Sequence, residues 1–322
     1  MDIPVISIAA LGSADSVAER ATVGQIGVAC RSIGFFQITD TGLSPALLQA
    51  VFAASATFFA LPEAEKAAVS ITHSRHNRGY GGIGTEQLDP TLIADAKEVF
   101  NIGRDLAADD PDVVAGKPFH GVNQWPADPA FRATLLAYWQ EMQRIAARLH
   151  RAFALDLGLE ASFFDTRIDK PLSTLRLLHY PPHPGIFDGS QYGAAPHTDY
   201  GTVTLLAQDT AGGLEVERRD GTWIDVPPRA DGFVCNIGDC LMRWSNDVYR
   251  STPHRVVNRS GRERYSIAYF ADPNADAEIA CLPTCLPTCL PLGEAPRYAP
   301  TTGAAYLTER LNATYAFRRA SG

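Results

Sequence analysis

The 322-residue chain is short of positive charge: 28 Lys and Arg stand against 36 Asp and Glu, a net charge of −8 with histidine neutral. A surface of that sign repels phosphate backbones and anionic lipid, so neither nucleic acid nor a membrane is an expected partner. No apolar run reaches the ~18 residues of a bilayer span. The opening "MDIPVISIAALGSAD" lacks the basic flank of a secretory signal, and a cytoplasmic location is expected. Cysteine is sparse, six residues in all, too few for a disulfide scaffold. Cys281, Cys285 and Cys289 share the repeat "CLPTCLPTCLP", but Pro283, Pro287 and Pro291 forbid a helix that would gather the thiols on one face. A duplicated extended loop is expected there rather than a metal site. Linkers rich in Gly and Ser are also lacking, which favours one structural unit, although at ~150 residues per domain the length alone would allow two. A monomer is expected.

What is present is ordinary globular material, 46% hydrophobic and 20% charged, enough for a substantial core. "PVISIAAL" reads as a strand, "SADSVAERATVGQIGVACRSIG" as a helix from about Ser13 closed by Gly34, and "FFQITD" as a second strand. Helical spacing resumes at Ser44 and restarts with Pro62 in its first turn. From about Thr72 to Gly121 the pattern dissolves into Gly, Pro and charge, with "KEVFNI" the one strand, as in regions that shape a pocket mouth. Between Pro129 and Leu157 the apolar set Leu135, Leu136, Trp139, Met142, Ile145, Leu149, Phe153 and Leu157 recurs at three and four, which predicts one long amphipathic helix backing a sheet. After about Leu172, seven short β-type runs separated by turns predict an antiparallel sandwich or barrel.

Chemistry concentrates in this second half. In "APHTDYG", His197 and Asp199 lie two apart at the start of a β-type run, so both can face one metal. His254 opens another run in "STPHRVV", with 54 residues between it and Asp199, enough for strands to return beside the first. Two imidazoles and one carboxylate on one side of a metal suit non-haem Fe(II) oxygen chemistry; three ligands plus water would equally suit a zinc hydrolase. An H-x-D pair is weak by itself. Its weight comes from Arg264 and Ser266 in "RYSIAYF", alternating onto one face where a guanidinium fork and a hydroxyl can hold a carboxylate. A zinc hydrolase leaves that pair unexplained.

The stretches "PHTDYGTVTLLAQD", "GGLEV", "VCNIGDCLMRWSNDVYRSTPHRVVN" and "RYSIAYF" resemble the isopenicillin N synthase-like family of Fe(II)- and 2-oxoglutarate-dependent oxygenases. "IPVISIAAL", "GFFQITDTGL", "RGYGGIG" and "YLTERLNATY" extend the likeness over nearly the whole chain. The resemblance implies a mainly β fold with supporting α-helices, a double-stranded β-helix or jelly roll. It divides the single unit into an N-terminal helical and lid region (about 1–170), a jelly-roll core with the iron site (about 172–272) and a C-terminal loop and helix (about 273–322). By the same resemblance His197, Asp199 and His254 would bind Fe(II), and Arg264 and Ser266, with Tyr180 of "LLHYPP", would hold the distal carboxylate of 2-oxoglutarate. Dioxygen would be the oxidant, with ascorbate an aid in vitro.

The implied reaction couples decarboxylation of 2-oxoglutarate to succinate with C–H oxidation of a small molecule: hydroxylation, desaturation or cyclisation. Isopenicillin N synthase and aminocyclopropane carboxylate oxidase carry the same residues without oxidising 2-oxoglutarate, so such an Fe(II) oxidase is the alternative. Leu178 and His179 depart from the Asn and Tyr of many plant members, and His179 should point away from the site. Gly238 and Asp239 read as a turn with an aspartate cap, and Trp244, Asn246 and Tyr249 as packing and turn residues. Arg78, Tyr80, Phe100, Phe187 and Tyr192 are the candidates for the substrate mouth, with the segments 72–100 and 181–195 expected to close over the iron.

Overall fold

The computed structural model describes residues 3–89, 91–182, 187, 189–285 and 296–314. From the short strand β1 (Val5–Ser7) the chain turns into α1 (Ser16–Ser32) at Asp15, whose carboxylate accepts from the amides of Val17 and Ala18, both at 3.0 Å. The helix therefore starts later than the expected Ser13, where a side chain satisfies its free N–H groups. Gly34 closes it at φ +71°, and a Cβ there would lie 2.2 Å from the Arg250 carbonyl oxygen, so glycine is required. Next come β2 (Phe35–Thr39), α2 (Pro45–Phe59) and α3 (Glu63–Ala67), with Pro62 just before the last rather than in its first turn. The covering region holds one strand more than expected: β3 (Gly79–Gly81) pairs antiparallel with β4 (Glu98–Ile102).

After the single-turn α4 (Pro111–Val114) comes α5 (Pro129–Asp156), the long helix read from the apolar spacing. Leu135, Met142, Ile145, Leu149 and Phe153 are fully buried along one face. Each contributes ~1.5–3 kcal/mol by burial, which fixes this helix against the sheet behind it. All seven β-type runs become strands: β5 (Thr174–Tyr180), then, after the additional β6 (Ala194–His197), β7 (Val203–Gln208), β8 (Leu214–Glu217), β9 (Trp223–Asp225), β10 (Gly232–Ile237), and, beyond α6 (Asp239–Trp244), β11 (His254–Val256) and β12 (Arg264–Ala271). The small ribbon β13 (Glu278–Ile279) with β14 (Thr301–Thr302) leads into α7 (Gly303–Thr314).

One sheet has eight strands in the order β1-β2-β10-β7-β12-β5-β4-β3, and a second has four, β6-β11-β8-β9. Only β1 with β2 is parallel within them. Strand alternation gives the large sheet two apolar faces. Ile267 and Tyr269 of β12 join the helical side with α1, α2 and α5, while Ala268 joins Leu178, Val216 and Val256 between the two sheets. This is the expected mainly β architecture with supporting helices, a double-stranded β-helix.

In the proline-rich repeat, Cys285 is buried and closes a turn, its amide donating to Leu282 O at 3.0 Å; Cys289 lies outside the described residues. The "NIGD" turn differs from its expected form. Gly238 is needed because a Cβ would lie 2.2 Å from Gly201 O, and Asp239 does not cap α6 but accepts from Thr198 Oγ1 (3.1 Å) and pairs with Arg310 (3.2 Å). Trp244 and Tyr249 pack in the core as expected, and Asn246 takes the turn conformation at φ +51°.

Candidate metal centre and active-site cavity

His197 ends β6 and His254 begins β11, and the two stand opposite each other in the register of the small sheet, ring centroids 4.3 Å apart. Asp199 reaches the same point: its Oδ1 is 3.8 Å from His197 Nε2 and 3.7 Å from His254 Nε2, and the three ligand atoms lie within 4.8 Å of one another. Each outer ring nitrogen sits by a main-chain carbonyl, His197 Nδ1 at 2.7 Å from Ala195 O and His254 Nδ1 at 3.2 Å from Thr252 O. Nδ1–H donation to those carbonyls leaves both Nε2 lone pairs turned inward. The other aspartate oxygen, Oδ2, accepts from Thr204 Oγ1 at 2.5 Å and Asn236 Nδ2 at 2.7 Å, which frees Oδ1 alone for the centre.

The electrostatics agree. Burial, with His254 beside it, holds His197 well below the usual imidazole range. Burial works against ionisation of Asp199, but the two imidazoles and the Asn236 and Thr204 hydrogen bonds outweigh it and hold the carboxyl below its usual range. Two imidazole nitrogens and a carboxylate oxygen, pre-oriented and facing a cavity, form a donor set that fits a divalent first-row cation.

The cavity lies between the sheets and opens to solvent, with the triad in its wall. Arg264 stands in the same wall, 1% exposed, stacked at 4.6 Å over the Tyr180 ring that pairs with it across β5 and β12. Its Nε donates to Gly212 O (2.6 Å), Nη1 to Ser266 Oγ (3.1 Å) and Nη2 to Gln208 Oε1 (2.9 Å). A guanidinium has five N–H donors, so two remain, and among the described residues no carboxylate pairs with this buried cation. A buried positive charge without an anion is a poor structural element and a good receptor for a carboxylate. Ser266, Tyr180 and Leu178 line the same cavity, while His179 turns away as expected, Nδ1 2.8 Å from Glu98 Oε1 and stacked on Tyr265.

Of the proposed substrate-mouth residues, the structure keeps Arg78 in the cavity wall and moves the others elsewhere. Tyr80 is buried in the core, its hydroxyl donating to Glu98 Oε2 at 2.6 Å, and Phe100 packs against Phe58 and Phe131. The cause is local: Gly79 at φ +108° breaks the strand alternation, so Arg78 faces the cavity and Tyr80 the helices, opposite Phe100 in the register. Phe187 and Tyr192 pack edge to face on each other at 5.0 Å beside Arg259 and Arg255, outside the cavity wall. Arg255 alternates with His254 on β11, which puts this aromatic pair on the far side of the small sheet. Segment 72–100 lines the cavity through His76, Asn77, Arg78, Glu86, Leu88 and Lys97; of 181–195 only Ala194 does so among the described residues.

Three features escaped the sequence reading. Lys97 lies buried in the wall between Glu86 and Asp95, both at 2.8 Å. Leu307 and Leu311 of α7 reach the cavity, and their spacing of four was the available signal. Asp272 is the third: the alternation that singled out Arg264 and Ser266 continues through Ala268 and Phe270 to Asp272, and all five line the cavity.

The facing sheets and the inward His-Asp-His cluster define the class, a non-haem metal oxygenase built on a double-stranded β-helix. Residues 171–273 match the 2OG-Fe(II) oxygenase superfamily, and residues 3–128 match the N-terminal region described as non-haem dioxygenase in morphine synthesis. A 2-oxoglutarate-Fe(II) type oxidoreductase of Emericella nidulans, hxnY, is 38% identical over 93% of this chain and 86% of its own. A full-length Neurospora crassa protein crystallised with 2-oxoglutarate superposes with a TM-score of 0.85 at 34% identity, covering 97% of this chain and 96% of that one. JOX2, solved with 2-oxoglutarate, Fe and JA, gives 0.77 at 28% identity, covering 97% and 84%. The chain belongs to the 2OG-Fe(II) oxygenase superfamily and is an Fe(II)/2-oxoglutarate-dependent dioxygenase. These relatives count against the zinc hydrolase and against an oxidase that does without 2-oxoglutarate.

Proposed function

We propose that His197, Asp199 and His254 hold the Fe(II), that Arg264 and Ser266 take the distal carboxylate of 2-oxoglutarate with Tyr180 stacked behind the guanidinium, and that the remaining cavity positions a C–H bond of a small molecule for oxidation. The observation that carries this reading is the opening of the three inward ligand atoms and the anion-free Arg264 into one cavity. Iron bound there would supply oxygen activation coupled to conversion of 2-oxoglutarate to succinate and carbon dioxide. The chain's own residues do the rest. Thr204 and Asn236 orient the Asp199 carboxylate, Ala195 O and Thr252 O fix the imidazole tautomers, and Arg264 sets the direction of the cosubstrate by its fork. Apolar wall residues such as Leu206, Leu214 and Val256 keep water from the reacting centre.

The Neurospora crassa protein has also been crystallised with thymine, a small heterocycle, which supports a substrate of similar size here. Hydroxylation, desaturation and ring closure all follow from the same placement of a C–H bond. The ligand assignment is tested by replacing His197 or Asp199 with alanine and measuring bound iron and succinate release. Both should fall at least a hundredfold with the circular dichroism spectrum preserved, and retention of stoichiometric iron in both variants would overturn the assignment.

A further inference from the structure

Away from Arg264, the cavity wall contains an arginine and an aspartate that the mechanism above does not use. Asp272, 6% exposed, follows β12 and faces the cavity; among the described residues no donor hydrogen-bonds its carboxylate. Among the described residues the Arg78 side chain, 3% exposed, makes two long hydrogen bonds, Nη1 to Thr174 Oγ1 at 3.3 Å and Nη2 to Phe119 O at 3.5 Å, and its Nε has no partner. The two side chains feel each other electrostatically but form no ion pair within 4.0 Å.

Room for both is built into the backbone. A Cβ on Gly103 would sit 1.9 Å from Arg78 Nη2, and one on Gly201 would sit 2.8 Å from Asp272 Oδ1. Asn77 at φ +60° and Gly79 at φ +108° hold the turn that aims Arg78 inward. Structures retain such strained turns and unpaired buried groups chiefly where a ligand completes them.

We infer that Arg78 and Asp272 form the polar half of the primary-substrate subsite and select a small ring carrying a carbonyl acceptor and an N–H donor on one edge, a cyclic amide or imide. This rests on the iron and 2-oxoglutarate assignment above. The carbonyl receives the Arg78 fork, the N–H donates to the Asp272 carboxylate, and the ring lies among Leu172, Phe270, Leu307 and Leu311. An amino acid offers a carboxylate and an ammonium to the same two groups, but the pocket is a weak receptor for ions. Burial raises the Asp272 carboxyl to about 7, with Arg78 opposing and Asp199 adding, and burial lowers Arg78 to about 10. Bringing two further full charges into this apolar space costs more desolvation than a neutral amide edge.

The test uses the full chain loaded with Fe(II) and 2-oxoglutarate under anaerobic conditions, with calorimetric titration of 2-pyridone, 1-methyl-2-pyridone and pipecolate. The wild type should bind 2-pyridone at least tenfold more tightly than its N-methyl derivative and than pipecolate. Asp272→Leu should abolish the discrimination against the N-methyl ring, whereas Asp272→Asn, which keeps an acceptor, should retain it. Equal binding of the two rings, preference for pipecolate, or discrimination surviving in Asp272→Leu would each overturn the inference. The same calorimeter measures 2-oxoglutarate binding to the wild type first: its absence would remove the underlying assignment, and its presence with failed discrimination removes only the amide subsite.

Discussion

At Asp199 the two carboxylate oxygens have different duties, and the division is set by neighbours from other strands. Thr204 of β7 and Asn236 of β10 fix Oδ2, so Oδ1 has one direction left. Arg264 shows the same logic with donors, three of its five N–H groups fixing the plane of the fork and two left for a ligand. Arg264→Lys keeps the charge and loses that plane. It should raise the 2-oxoglutarate KM at least tenfold while shifting the melting temperature by only a few degrees, read from succinate release and thermal unfolding; an unchanged KM would place the carboxylate elsewhere. The triad was legible in the sequence because strand alternation puts His197 and Asp199 on one face, and because Arg264 and Ser266 gave that otherwise weak pair its weight. Tyr80 was misread because its residue type suits a pocket, and only the backbone turn at Gly79 decides which way it points.

Strand β4 joins the covering region to the core, and Glu98 is its fastening. That carboxylate accepts from Lys66 Nζ at 2.7 Å and Tyr80 Oη at 2.6 Å and lies 2.8 Å from His179 Nδ1. Burial pushes Glu98 up, yet the His179, Lys66 and Tyr80 hydrogen bonds prevail and bring it down to about 2. A depressed carboxylate contributes stability that is complete above its unfolded value, ~4.3, and is lost as pH falls through the folded value. Wild type should therefore exceed Glu98→Gln in unfolding free energy at pH 7, and the difference should shrink as pH falls from about 4 towards 2, measured by urea titration at each pH. A constant difference would show that packing, not charge, holds this strand. The element pattern was largely legible, since α5 and seven of the core strands follow simple periodicities. The brief β3 and β6 were not, because three or four residues carry too little pattern and their pairing partners lie far along the chain.

For the molecule as a whole, the cavity draws on both sheets and on α7, so its ligands bind only the assembled fold. Binding to the native state alone stabilises by mass action, about 2.7 kcal/mol at a hundredfold excess over Kd. Metal-stripped protein should gain several degrees in melting temperature with Mn(II) and 2-oxoglutarate together, and less with either alone. No gain from the combination would contradict a shared cavity for the two. The apolar pattern pointed to the fold class, but neither it nor the net charge reports which wall residue meets which ligand. That depends on turns such as Asn77 to Gly79 and on where α7 lies.

The pairing of His197 with His254 across the small sheet, while Arg264 pairs with Tyr180 in the large one, also has a meaning in time. Each pairing joins residues far apart in the chain, so each requires a long loop to close before it can form. A partly folded chain would hold its long helix yet have no place for the metal, so competence for oxygen chemistry comes only once both layers have closed.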